Sequence, residues 1–142
     1  LIKLLILGIM RHTLLVITLL IGSFQLIGQS KEWKVIAKKD VTYKHEDDKI
    51  MLRGEDKELS KFKIKCTQGT LKFKLAIVFY KDGTAEEKRP KGTGVIKKGM
   101  SSFAFSIAKD KTPTKINLSY EAIGNVMLTK RAKIELLGYL KI

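Results

Sequence analysis

The feature that most constrains this chain is a two-residue alternation of apolar and basic side chains. In Lys61-Phe62-Lys63-Ile64-Lys65-Cys66, and again in Leu71-Lys72-Phe73-Lys74-Leu75, every second residue is apolar and lysine stands between. Successive side chains of a strand point to opposite faces, so such a run buries one face and wets the other, and it lacks the stripe an α-helix needs. Carried on to Tyr80, the second run places Leu71, Phe73, Leu75, Ile77 and Phe79 on the expected core face. Lys72, Lys74, Ala76, Val78 and Tyr80 fall on the other face, outside the core. Phe103, Phe105 and Ile107, then Ile116, Leu118 and Tyr120, then Ala132, Ile134 and Leu136 each read as one more strand face. Weaker strand patterns cover residues 33–37, 50–52, 85–89 and 94–96.

Turn chemistry separates these runs: His45-Glu46-Asp47-Asp48, Thr67-Gln68-Gly69-Thr70, Asp82-Gly83, Lys97-Lys98-Gly99, Asp110-Lys111-Thr112-Pro113 and Gly124-Asn125. About eight short strands with regular turns predict an all-β fold, a single antiparallel β-sandwich. Asp82-Gly83 is a hairpin signal, but the outgoing Ala85-Glu86-Glu87-Lys88-Arg89-Pro90 has no apolar face. Charge and proline place it at a sheet edge.

The front of the chain differs. Met10-Arg11-His12 precedes an apolar run from Thr13 to Gly22, and no charge returns before Lys31. A short basic segment, an apolar core and small polar residues near Gly28 and Gln29 predict a signal peptide. The expected division is residues 1–9 as translated sequence upstream of Met10, 10–29 as signal peptide and 30–142 as the β-sandwich domain. The expected location is periplasmic or extracellular. A retained membrane anchor is the alternative, against which Gly22, Ser23, Gln25, Gly28 and Gln29 count.

At 142 residues the chain has room for one domain and none for a separate cofactor domain. One Cys in an exported chain excludes an internal disulfide, and Cys66, in phase with Phe62 and Ile64, reads as a small core hydrophobe. Catalytic patterns are missing. His45 is the one histidine after the apolar segment, Gly99-Met100-Ser101-Ser102-Phe103 is not a nucleophile elbow, and Glu86-Glu87 point to opposite strand faces. His45 and Cys66 are too few for structural zinc, and His45-Glu46-Asp47-Asp48 lacks the EF-hand spacing. Gly92-Thr93-Gly94 is a connection between strands rather than a P-loop. The reading is non-catalytic, with no metal and no cofactor. Trp33 reads as a core plug, with stacking on a sugar or base as the alternative, while Tyr43, Tyr80 and Tyr139 lie outside the main apolar phases.

Trp33, Asp48-Lys49-Ile50-Met51-Leu52, Phe62-Lys63-Ile64-Lys65, Ile77-Val78-Phe79-Tyr80-Lys81-Asp82-Gly83, Ile116-Asn117-Leu118-Ser119-Tyr120 and Arg131-Ala132-Lys133-Ile134-Glu135-Leu136-Leu137-Gly138 follow in an order that resembles a family of small exported bacterial β-sandwich domains of unknown function. The resemblance implies fold and export and brings no catalytic residues. The chain departs from it in the abundance of lysine at outward strand positions.

Those lysines are the candidate site. With 28 Lys+Arg against 14 Asp+Glu the formal charge is +14. A symmetric hairpin at Thr67-Gln68-Gly69-Thr70 sets Lys65 opposite Lys72 and Lys63 opposite Lys74, with Lys61 following on the same face. Like charges placed opposite each other are destabilising, so Lys61, Lys63, Lys65, Lys72 and Lys74 are expected to form an anion-binding face. The available polyanions are acidic glycans, lipopolysaccharide phosphates, anionic lipid headgroups and extracellular DNA. Arginine is scarce, so binding is expected to be weak and salt-sensitive, with no specific nucleic acid recognition. The plain alternative is that the lysines only keep the face soluble. In that case the domain is a protein-protein interaction module using a sheet edge or the face carrying Val78 and Tyr80.

Overall fold

The computed structural model describes residues 2–6, 32–41, 46–124 and 132–141. Two compact units divide the chain, Leu1–Ser30 and Lys31–Ile142. In the first, residues 2–6 are helical; the expected signal core and cleavage zone lie outside the described residues, as do Tyr43, His45, Asn125 and Arg131. Among the described residues no helix is long and apolar enough to cross a membrane.

The second unit is an antiparallel β-sandwich. Its described strands are β1 (Lys34–Val41), β2 (Glu46–Met51), β3 (Leu59–Gln68), β4 (Thr70–Tyr80), β5 (Ala85–Lys88), β6 (Val95–Lys97), β7 (Phe105–Ser106), β8 (Pro113–Ile123) and β9 (Ala132–Leu140), with a 3-10 turn at Gly54–Glu58. One sheet, A, has the order β1-β9-β3-β7; the other, B, has β2-β8-β4-β5, with β6 also paired to β4. Phe62, Ile64, Cys66, Ile134 and Leu136 from sheet A meet Leu71, Phe73, Val78, Ile116, Leu118 and Tyr120 from sheet B in one core. Each large side chain buried there contributes about 1.5–3 kcal/mol. The acidic run expected as a turn is strand from Glu46 onward. Strand β5 lies at the end of its sheet, where its charges had placed it.

Two local events overturn the expected strand faces. Strands β3 and β4 are not a hairpin, because β3 pairs with β9 and β7 whereas β4 pairs with β8, β5 and β6. Thr67-Gln68-Gly69-Thr70 instead carries the chain from sheet A to sheet B, turning through Gly69 at φ 73°. Lys63 therefore stands across from Leu137 and Lys65 from Glu135, while Lys72 stands across from Glu121.

The second event lies within β4. Phe73 pairs with Tyr120 and Leu75 with Ser119, leaving Lys74 as an extra residue in a β-bulge. One inserted residue exchanges the two faces of everything after it. Leu71 and Phe73 remain in the core, but Ala76, Val78 and Tyr80 follow them there, and Leu75, Ile77 and Phe79 are half-buried on the outside. Val78 and Tyr80 are thus core residues and offer no outer face. The bulge falls where the edge of β4 has no strand beside it, between the pairing with β6 at Thr70, Leu71 and Lys72 and that with β5 from Ala76 on. Tyr80 is well served by the exchange: its hydroxyl donates to Glu86 at 2.8 Å and accepts the Ala108 N–H at 3.2 Å. A buried tyrosine needs such partners.

Candidate functional site

The five lysines do not share a face. Lys61, Lys63 and Lys65 alternate with the fully buried Phe62, Ile64 and Cys66, so they lie on the outer face of sheet A. Lys72 and Lys74 belong to the outer face of sheet B, where Glu121 stands in register with Lys72 and ion-pairs with Lys74 at 2.9 Å. Glu121 thus stands beside both of these lysines. On sheet A, Glu135 faces Lys65 across the ladder and is bridged by Lys38 at 3.5 Å. Lys61 and Lys63 have no ion pair among the described residues.

What accompanies those two lysines is aromatic. Trp33 enters β1 not as a core plug but half-buried on the outer face, its ring centroid 5.6 Å from that of Tyr139 at 59°. The Lys63 ammonium sits 4.3 Å above the Trp33 ring centroid. An ammonium over an indole face is attracted by the ring's quadrupole, which fixes the lysine without neutralising it. Lys61 is in register with Tyr139, and Leu137 lies between Val35 and Lys63. The outer face of sheet A therefore combines an apolar floor (Trp33, Val35, Leu137 and Tyr139) with cations along one side.

The inner face holds this floor in place. Gly138 points into the core, where a Cβ would come within 2.6 Å of Leu59 and 2.7 Å of Ile36, so those side chains fill the space a larger residue would need. The Ser60 hydroxyl donates to the Tyr139 carbonyl at 2.9 Å, next to the register shift in β3. Cys66 is wholly buried with its thiol aimed at the Gln68 and Gly69 carbonyls, and burial pushes its pKa up. Among the described residues no three His, Cys, Asp or Glu side chains gather as a metal site would.

Sequence reasoning singled out Lys61, Lys63 and Lys65 but missed the tie between Trp33 and Tyr139, which stand at opposite ends of the domain. Only the order β1-β9-β3 brings them together. A readable signal existed in the i, i+2 pairs Trp33/Val35 and Leu137/Tyr139, each aligned to one strand face.

No curated protein matches the chain. Residues 13–138, from the apolar segment into β9, match the family described as Domain of unknown function (DUF2541), and the chain belongs to that family.

Proposed function

We propose that this protein is an exported, non-catalytic binding module that takes an anionic glycan on the outer face of sheet A. The observation that carries the reading is the placement of the Lys63 ammonium over Trp33, beside Tyr139 and Lys61. Sugar rings present apolar C–H faces that pack on indole and phenol rings, and their carboxylates, sulfates or phosphates meet the ammonium groups of Lys61 and Lys63. Lysine attracts such groups as a point charge without planar, bidentate recognition, so affinity is weak and falls with salt. Lys72 and Lys74 lie on the other sheet and take no part. Export is supported by the basic Met10-Arg11-His12 and the apolar run after it, which the family match includes from Thr13. The chain has a single tryptophan, so its emission reports this face alone. Titrating the protein with polygalacturonate shifts Trp33 emission, added NaCl reverses the shift, and neutral dextran produces none. Emission unmoved by polygalacturonate, or moved equally by dextran, overturns the reading.

A second reading rests on the outer face of sheet B, where the bulge turns Leu75, Ile77 and Phe79 outward near the exposed Met51. A protein partner held there would stay bound in salt that screens surface charge.

A further inference from the structure

One side of the sandwich opens into a cavity of about 230 Å³ between the two sheets. Each of its walls is fastened to a different sheet. The first runs through Pro90, Thr93 and Gly94 into β6, and the Gly94 carbonyl accepts the Phe73 N–H of β4 at 2.8 Å. Gly94 has φ +75°, and a Cβ there would meet the Phe73 carbonyl oxygen at 2.2 Å, so only glycine lets this wall lie so close to β4. The second wall runs from Met100 to Phe103. Its Met100 carbonyl accepts the Cys66 N–H at 2.9 Å, and its Ser102 N–H donates to the Ile64 carbonyl of β3 at 2.8 Å. The floor is the core itself, formed by Phe73, Ile96 and Phe105, with the two phenyl centroids 5.7 Å apart.

Chemistry at the mouth is lopsided. Val95, Met100 and Phe103 are exposed at 39%, 53% and 70%, and they make up half of the large apolar side chains so exposed among the described residues of this unit. No acidic side chain lines the cavity. The Ser102 hydroxyl is used within the walls, accepting the Ile64 N–H and donating to the Phe103 carbonyl. That leaves one charged group, Lys91, whose ammonium lies 5.8 Å from the Phe103 ring centroid and has no ion pair among the described residues. Such an exposed cation–π contact is weak and gives way to a carboxylate.

We propose that this cavity binds a medium-chain free fatty carboxylate, with its hydrocarbon tail directed at Phe73, Ile96 and Phe105 and its carboxylate on Lys91. The size selects the class: drug-sized ligands occupy roughly 300–1,000 Å³, so this smaller space suits a single medium-length chain. The site is separate from the Trp33 face and does not depend on it.

The test uses the full-length protein with ¹³C-labelled Val, Ile and Met methyls, titrated with octanoate, octan-1-ol and acetate. Octanoate is expected to shift the methyls of Val95, Ile96 and Met100 and to leave Trp33 emission unchanged, while acetate moves none of them. Octan-1-ol, with the same chain and no charge, binds more weakly. In Lys91→Gln the octanoate affinity falls about fivefold, as for loss of a partly exposed ion pair, and octan-1-ol is unaffected. Lys91 is exposed, so this variant folds. Octanoate that leaves these methyls unmoved, octan-1-ol that binds as tightly as octanoate, or an unchanged affinity in Lys91→Gln overturns the proposal.

Discussion

Strands β3 and β4 carry nearly the same pattern, Lys61-Phe62-Lys63-Ile64-Lys65 in one and Lys72-Phe73-Lys74-Leu75 in the other, and they use it differently. In β3 the phase holds from Phe62 to Cys66, and three lysines form one outer row. In β4 the phase breaks at Lys74, the residues after it exchange faces, and the lysines are answered by Glu121. Similar alternation thus yields a cationic row beside aromatic rings on sheet A and an outer face of Leu75, Ile77 and Phe79 on sheet B. A period-two pattern assigns faces only as far as the ladder is unbroken.

Deleting one lysine from each strand has the largest and most unequal effects. Loss of Lys63 puts Leu59 and Phe62 out of phase with Ile64 and Cys66, and several misplaced side chains at about 1.5–3 kcal/mol each match the whole stability of a small domain. Loss of Lys74 removes the bulge residue and its ion pair while both halves of β4 keep their faces, at a cost of about 1 kcal/mol. Circular dichroism and thermal melting should find the first variant unfolded and the second folded. If both unfold, the bulge assignment is wrong.

The exchanged faces are tested next by Val78→Asp and Ile77→Asp. Val78 is fully buried, and an unpaired charge in its place costs about 3–5 kcal/mol. Ile77 is half-buried on the outer face, where an added carboxylate still reaches water, and its variant loses less than Val78→Asp. Urea midpoints in the reverse order would restore the unbroken phase.

Titration sharpens the contrast between the two strand ends. Burial pushes the Cys66 thiol above its ordinary 9.0, and it pushes the Tyr80 phenol above 10.0. Tyr120 moves the same way through burial and then through its hydroxyl bond to Asp48. Each raised value favours the protonated form in the folded state, so this stability is complete below the ordinary pKa and is lost as pH rises past it. The melting temperature is expected to fall first beyond pH 9.0 and more steeply beyond 10.0. Cys66→Ala abolishes the first step and Tyr80→Phe reduces the second; a melting temperature flat through both contradicts the burial of these groups. The smallest effect is that of Lys61→Gln or Lys63→Gln on stability, within about 0.5 kcal/mol by urea unfolding.

Much of this was legible in the sequence, and the gaps have physical causes. The faces of β3, β8 and β9 followed from side chains whose ladders are regular at Phe62, Ile116 and Ile134. The face of β4 did not, because a bulge at a lysine leaves no mark in an alternating string. Phe103 was aligned with Phe105 and Ile107, yet it precedes a two-residue strand and lies exposed. Thr67-Gln68-Gly69-Thr70 has the composition of a hairpin and of a crossing between sheets, and only pairing with β9 or β8 decides which. The outward row Lys61, Lys63 and Lys65 was legible in the alternation, but Trp33 joins it through a strand from the far end of the domain.

The outer face of sheet A is tested most directly by polygalacturonate binding to two variants with the same change in net charge, Lys61→Gln/Lys63→Gln and Lys72→Gln/Lys74→Gln, at low and physiological salt. The first is expected to lose binding while the second keeps the affinity and salt dependence of the parent. Equal losses in both, or full binding by the first, would contradict binding at that face.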